Sequence, residues 1–154
     1  MTLARVFLLV HLVGFATFLG GAFAQQEFMK RSARDGLSAA VRDEYERLSA
    51  AIVTKLELPG LFAQIASGIG FIALNSSWLQ AGWLHAKLTA VALLLVLSHV
   101  EMFNARKLVR ARAQRGDAAA AEIATRKKRH AQLGAVGTVL VVAVIGLVVY
   151  GLRP

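Results

Sequence analysis

The sequence predicts an all-α fold, a four-helix transmembrane bundle with both termini outside and two basic connections in the cytoplasm. Three observations carry this expectation. The chain has 154 residues, 56% of them hydrophobic, and the apolar residues gather in runs long enough to cross a bilayer. The net charge of +9 is segregated into blocks between those runs. No stretch alternates with period two, and in lipid only helices or closed barrels satisfy their own backbone groups. The whole chain, 1–154, therefore reads as one integral membrane domain.

The first span is placed at 3–24. Its end, Ala22-Phe23-Ala24, also matches the A-x-A site of a signal peptide. The positive start such a peptide needs is weak, with Arg5 alone, so the segment is read as a span. A basic segment follows, carrying Lys30, Arg31, Arg34, Arg42, Arg47 and Lys55. The second span is placed at 53–75; its apolar run starts near Pro59 and is short unless the preceding residues are counted with it. Residues 75–81 carry no charge, and a third span follows at 81–103. Next come Arg106, Lys107, Arg110, Arg112, Arg115 and the run Arg126-Lys127-Lys128-Arg129, then a fourth span at 132–152.

The positive-inside rule puts both basic segments in the cytoplasm and Trp78 and Trp83 at the outer interface. The expected location is the bacterial inner (plasma) membrane, crossed several times. The basic segments read as helical, with Asp43–Arg47 and Glu122–Arg126 as acid-to-base pairs four residues apart. Gly116-Asp117 is the expected break, with Asp117 as a candidate N-cap. The positive charge is assigned to orientation and to contact with anionic lipid. No basic domain is present for nucleic acid, so none is expected as a partner.

The absence of cysteine excludes disulfides, thiolate ligation, iron–sulfur clusters and covalent haem attachment. Histidines are the remaining ligands of interest, and three of them, His11, His85 and His99, fall inside expected spans. A titratable ring in hydrocarbon is costly, so each is a candidate functional residue. At 1.5 Å per residue, His11 lies roughly 10 Å deep, His85 roughly 6 Å and His99 roughly 27 Å. His11 and His85 are thus level within the uncertainty of the span ends, as axial ligands of a b-type haem must be. Gly14 beside His11 and Gly82 beside His85 leave room for a flat macrocycle, although small residues also serve plain helix packing.

Lys87 lies one turn below Trp83 and can snorkel along the indole. It can equally, like Arg5, set a cation beside a porphyrin carboxylate. His99 can pair with His130 as a second ligand set, but His130 ends a cationic run and is expected to be a wet interfacial residue. The acidic residues all fall in or beside the cytoplasmic segments, and no carboxylate is expected at the bilayer centre. No nucleophile elbow, phosphate loop or metalloprotease motif is present.

Trp83-Leu84-His85-Ala86-Lys87, followed by an apolar run to His99, resembles the third helix of the HemJ family of membrane protoporphyrinogen oxidases. His11 stands at that family's first-helix histidine position. Pro59 with Gly68 resembles its second-helix opening, and Arg153-Pro154 its end. The chain departs from the family at Gln25-Gln26-Glu27-Phe28-Met29, where a Leu-Pro-Arg type of segment is typical. The resemblance implies a four-helix membrane fold, haem b and oxidation of protoporphyrinogen IX, or electron transfer through a bis-histidine haem. It implies His11 as a haem ligand, with Trp83, Lys87 and His99 as further functional positions. Porphyrin or haem, lipid and a redox partner are the implied partners, and self-association is compatible with the reading. The alternative is a non-enzymatic, CopD-like copper-handling or transport protein using His11, His85 and His99. Copper import draws on methionine as well, and none of Met1, Met29 and Met102 lies near His11 or His85, which counts against it. A small helical subunit of a larger complex is the third reading.

Overall fold

A computed structural model describes residues 2–151. Leu152, at the end of the expected fourth span, and Arg153-Pro154 lie outside the described residues. All regular structure among the described residues is helical.

Helix α1, Leu3–Arg31, ends with Lys30 and Arg31 in its last turn, where cations complement the helix dipole. Ser38 then caps α2, Ala39–Ile52, its hydroxyl accepting from the Val41 N–H. The chain does not leave the helix after α2. It widens into a π-turn, Val53–Glu57, and continues as α3, Leu58–Leu74. Pro59 explains the widening. It has no N–H for the carbonyl four residues back, and its ring crowds that carbonyl. The Leu58 N–H reaches five residues back, to the Val53 carbonyl, instead.

Asn75 ends α3, its side chain accepting from the Ser77 N–H at 3.2 Å. A short 3₁₀ turn, Ser76–Gln80, leads into α4, Gly82–Arg115. Gly116 adopts φ +51°, which favours glycine, and breaks the helix where the sequence expects it. Asp117 falls inside the 3₁₀ turn Gly116–Ala119 rather than at the cap, and α5 runs Ala120–Gly151.

Three continuous helical stretches, Leu3–Arg31, Ala39–Leu74 and Gly82–Gly151, are long and apolar enough to cross a membrane. The third doubles back at Gly116, so α5 packs along α4, while α1 packs along α3. The main core joins these helices through Phe18, Leu61, Ala90, Leu94, Val141 and Val144. Leu9, Val13, Val96, Val139 and Val142 are each more than half exposed, an apolar exterior of the kind lipid covers.

The α1–α3 contact depends on glycine. A Cβ at Gly14 would stand 2.8 Å from the Gly60 carbonyl oxygen, and one at Gly60 would stand 2.6 Å from the Phe18 nitrogen. Small residues that let backbones approach are the usual seam of membrane helices. At the other end of the helices, charge does the joining. Glu46 of α2 is fully buried and meets Arg112 of α4 at 2.8 Å and Lys127 of α5 at 2.7 Å. Two of the cations assigned by sequence to lipid contact are therefore interior ion pairs. The expected surface pairs, Asp43–Arg47 and Glu122–Arg126, form at 3.0 and 2.7 Å.

Candidate functional sites

His11 lies half-buried on α1, facing α3. Its Nδ1 is 3.0 Å from the Ser67 hydroxyl oxygen. Ser67 spends its own proton on a backbone carbonyl of α3, that of Ala63 at 2.8 Å or Gln64 at 3.0 Å. The Ser67 oxygen is therefore the acceptor toward His11, and Nδ1 carries the ring proton. That tautomer leaves the Nε2 lone pair for a ligand, the arrangement by which metal-binding histidines are oriented. Phe71 stands edge-on to the ring at 6.0 Å, and Lys87 lies within electrostatic reach.

The other sequence candidates are placed differently. Exposed His85 lies 2.7 Å from the Leu79 carbonyl through Nε2, so that nitrogen donates and is occupied. His99 donates from Nδ1 to the Leu95 carbonyl at 2.8 Å and meets Phe62 of α3 edge-on at 6.1 Å. Trp83 packs on Gly151, where a Cβ would fall 2.5 Å from the indole. Lys87 is half-buried one turn below Trp83, and Arg5 is exposed near the start of α1. Gly14, expected to make room for a flat ring, instead faces the backbone of Gly60 and Gln64. Among the described residues no three His, Asp or Glu side chains converge as a metal-binding group, so His11, His85 and His99 do not share one ion.

A second polar site was not expected. His130 is fully buried rather than wet, because the turn at Gly116 folds α5 back onto α4 and α1. Its Nε2 lies 2.5 Å from the Gln25 amide oxygen and 3.4 Å from the Glu101 carboxyl. Glu101 also accepts from Gln25 at 2.9 Å and Gln26 at 2.5 Å. Glu57, 1% exposed, is hydrogen-bonded by Ser98 and leaves Oε2 with no partner among the described residues. Glu57 and Glu101 border a cavity of about 380 Å³ between α1, α4 and α5.

The signals for this site were in the sequence. Glu101 interrupts an apolar run, Glu57 precedes the helix-widening Pro59, and Gln25-Gln26 stands where the resembled family differs. Counting Glu57 and Glu101 as cytoplasmic edge charges hid them. Near the same end, Glu46 holds the Arg112 guanidinium above its ordinary pKa. Burial lowers the Lys127 pKa, with Glu46 opposing.

Over 91 aligned residues, 56% of this chain, the sequence is 30% identical to the protoporphyrinogen IX oxidase of Synechocystis sp. (strain ATCC 27184 / PCC 6803 / Kazusa). The chain spans only 43% of that protein's length. No solved structure matches the chain. The family profile described as "Predicted integral membrane protein (DUF2269)" matches residues 5–151, and the chain belongs to that family.

Proposed function

We propose that the protein binds haem b through His11 and serves either protoporphyrinogen IX oxidation or electron transfer. The observation that carries the reading is the His11–Ser67 pair, which holds the ring proton on Nδ1 and leaves Nε2 free to ligate iron. The partial likeness to a protoporphyrinogen IX oxidase supports the same chemistry. In this reading the protein is a multi-pass protein of the bacterial inner membrane with four crossings, both termini outside and both basic connections cytoplasmic. The doubling back at Gly116 supports a crossing by each of α4 and α5.

The donor set fits a haem in part. His11 offers a tethered imidazole, Lys87 a nearby cation for a propionate, and Phe71 an apolar edge. His85, expected at the depth of His11, would be the second residue to hold the haem, once its Nε2 releases the Leu79 carbonyl. His99 has the better tautomer, with Nδ1–H held by the Leu95 carbonyl, but it is expected several turns deeper than His11. When bound, haem supplies a one-electron ferric–ferrous couple. Trp83 and Lys87 are assigned to orient the porphyrin substrate at the same end, with Arg5 as a further cation.

Absorption spectra of the purified protein, oxidised and then reduced, test this. The reading expects a Soret band that His11→Ala abolishes and Ser67→Ala weakens, with helicity retained in both variants. A protein that takes up no haem, or a His11→Ala variant with an unchanged spectrum, overturns it.

A further inference from the structure

We propose that the cavity between α1, α4 and α5 is a binding site for a lipid-soluble quinol. The site stands apart from His11 and does not depend on the haem reading. Its position follows from the π-turn: Pro59 forces Val53–Glu57 to widen, and Gly21 lets α1 approach the Glu57 backbone. A Cβ at Gly21 would stand 3.1 Å from the Glu57 nitrogen. Single π-turns are frequent at functional sites because they re-aim one side chain.

The cavity is polar at one end and apolar at the other. Glu57, Glu101 and Ser98 border the polar end, while Phe18, Leu94 and Ile145 border the rest. About 380 Å³ is within the range of small-molecule pockets and far larger than a bare cation needs. Glu101 already has two amide donors, so the open polar group is the Glu57 Oε2. A buried carboxyl oxygen without a partner is expensive and calls for a donor from outside the chain. A ring hydroxyl is such a donor.

Three further features select the class. Among the described residues neither Glu57 nor Glu101 pairs with a lysine or arginine, so no cation here answers an anionic ligand. That counts against a porphyrin carboxylate at this site. Phe18 and Phe23 of α1 line the cavity and supply aromatic surface for a flat ring. Phe23 and Val142, 60% and 63% exposed, border the cavity where it meets the apolar exterior, which admits a hydrocarbon tail.

The test is calorimetric titration of the detergent-solubilised full chain with a decyl-substituted benzoquinol kept reduced, with decanol as the tail-only control. The expected result is saturable binding of one quinol per chain and none of decanol. Glu57→Met should weaken quinol binding at least tenfold while raising the melting temperature, since it removes an unpartnered buried oxygen. Ala22→Phe, which puts bulk into the cavity from α1, should also abolish binding. Equal binding of decanol, or unchanged quinol affinity in Glu57→Met, overturns the proposal. So does a Glu57→Met variant that melts lower than the parent, which marks the carboxyl as purely structural. A spectrum of the same preparation separates the two readings. Quinol binding without a Soret band sinks only the haem, and a Soret band without quinol binding sinks only this site.

Discussion

Replacing Gly14 with alanine adds one methyl group at the tightest point between α1 and α3. The new Cβ would stand 2.8 Å from the Gly60 carbonyl oxygen and 2.9 Å from the Gln64 nitrogen. Ordinary contact begins at 3.4 Å, and both neighbours are backbone that no rotamer change can move. The helices must therefore separate by roughly half an ångström, since packed interiors have no slack. His11 lies one turn before Gly14 on the same face, and its 3.0 Å bond to Ser67 would stretch past useful hydrogen-bond range. Overpacking costs about 1–3 kcal/mol and the lost bond about 1 kcal/mol more. At about 2–4 °C per kcal/mol for a chain of this size, the melting temperature should fall by roughly 4–16 °C. Gly20→Ala is the matched control, because nothing lies within 4 Å of a Cβ there and alanine favours the helix. Circular-dichroism melts in detergent compare the two. Equal stability of Gly14→Ala and Gly20→Ala would refute the close-contact account of the α1–α3 seam.

Glu46→Ala leaves Arg112 and Lys127 without their shared partner and should cost about 3–5 kcal/mol, read as a large drop in melting temperature. A change within error would show that the triad contributes nothing to stability. Gly134→Ala sets a methyl group on the Gln26 amide and should displace it from Glu101, with a loss of about 1–2 kcal/mol by thermal melt. Unchanged melting would mean that Gln26 finds another rotamer at no cost. For pH, burial lowers the folded Lys127 pKa below its ordinary 10.5. The unfolded chain then binds more protons in the window below 10.5, so stability contributed here rises with pH toward that value. Lys127→Met should flatten that rise in melts taken between pH 8 and 10.5, and an identical slope in the variant refutes the assignment.

The helical class was legible because apolar runs of spanning length leave the backbone no other solution. The break at Gly116 and the pairs Asp43–Arg47 and Glu122–Arg126 were legible for a local reason: each depends on residues within one or two turns. His11 was singled out as a titratable ring inside an expected span, but its tautomer was not legible, because Ser67 lies 56 residues away. His130 and Glu101 were misplaced for a related reason. Sequence ranks a charge by its neighbours along the chain, and both residues take theirs from across it. Gln25 is 105 residues from His130 and 76 from Glu101.

By itself, the sequence determined an all-helical chain with membrane-length apolar stretches and the break at Gly116. These follow from local hydropathy and backbone chemistry. Only the tertiary structure decided that Gly14 is a helix seam, that Glu46 gathers two cations inside the protein, and that Glu57 and Glu101 border one cavity. Such facts depend on which helix faces which. In a membrane protein that choice is made by backbone fit at small residues and by polar groups seeking partners, and neither leaves a periodic trace in the chain.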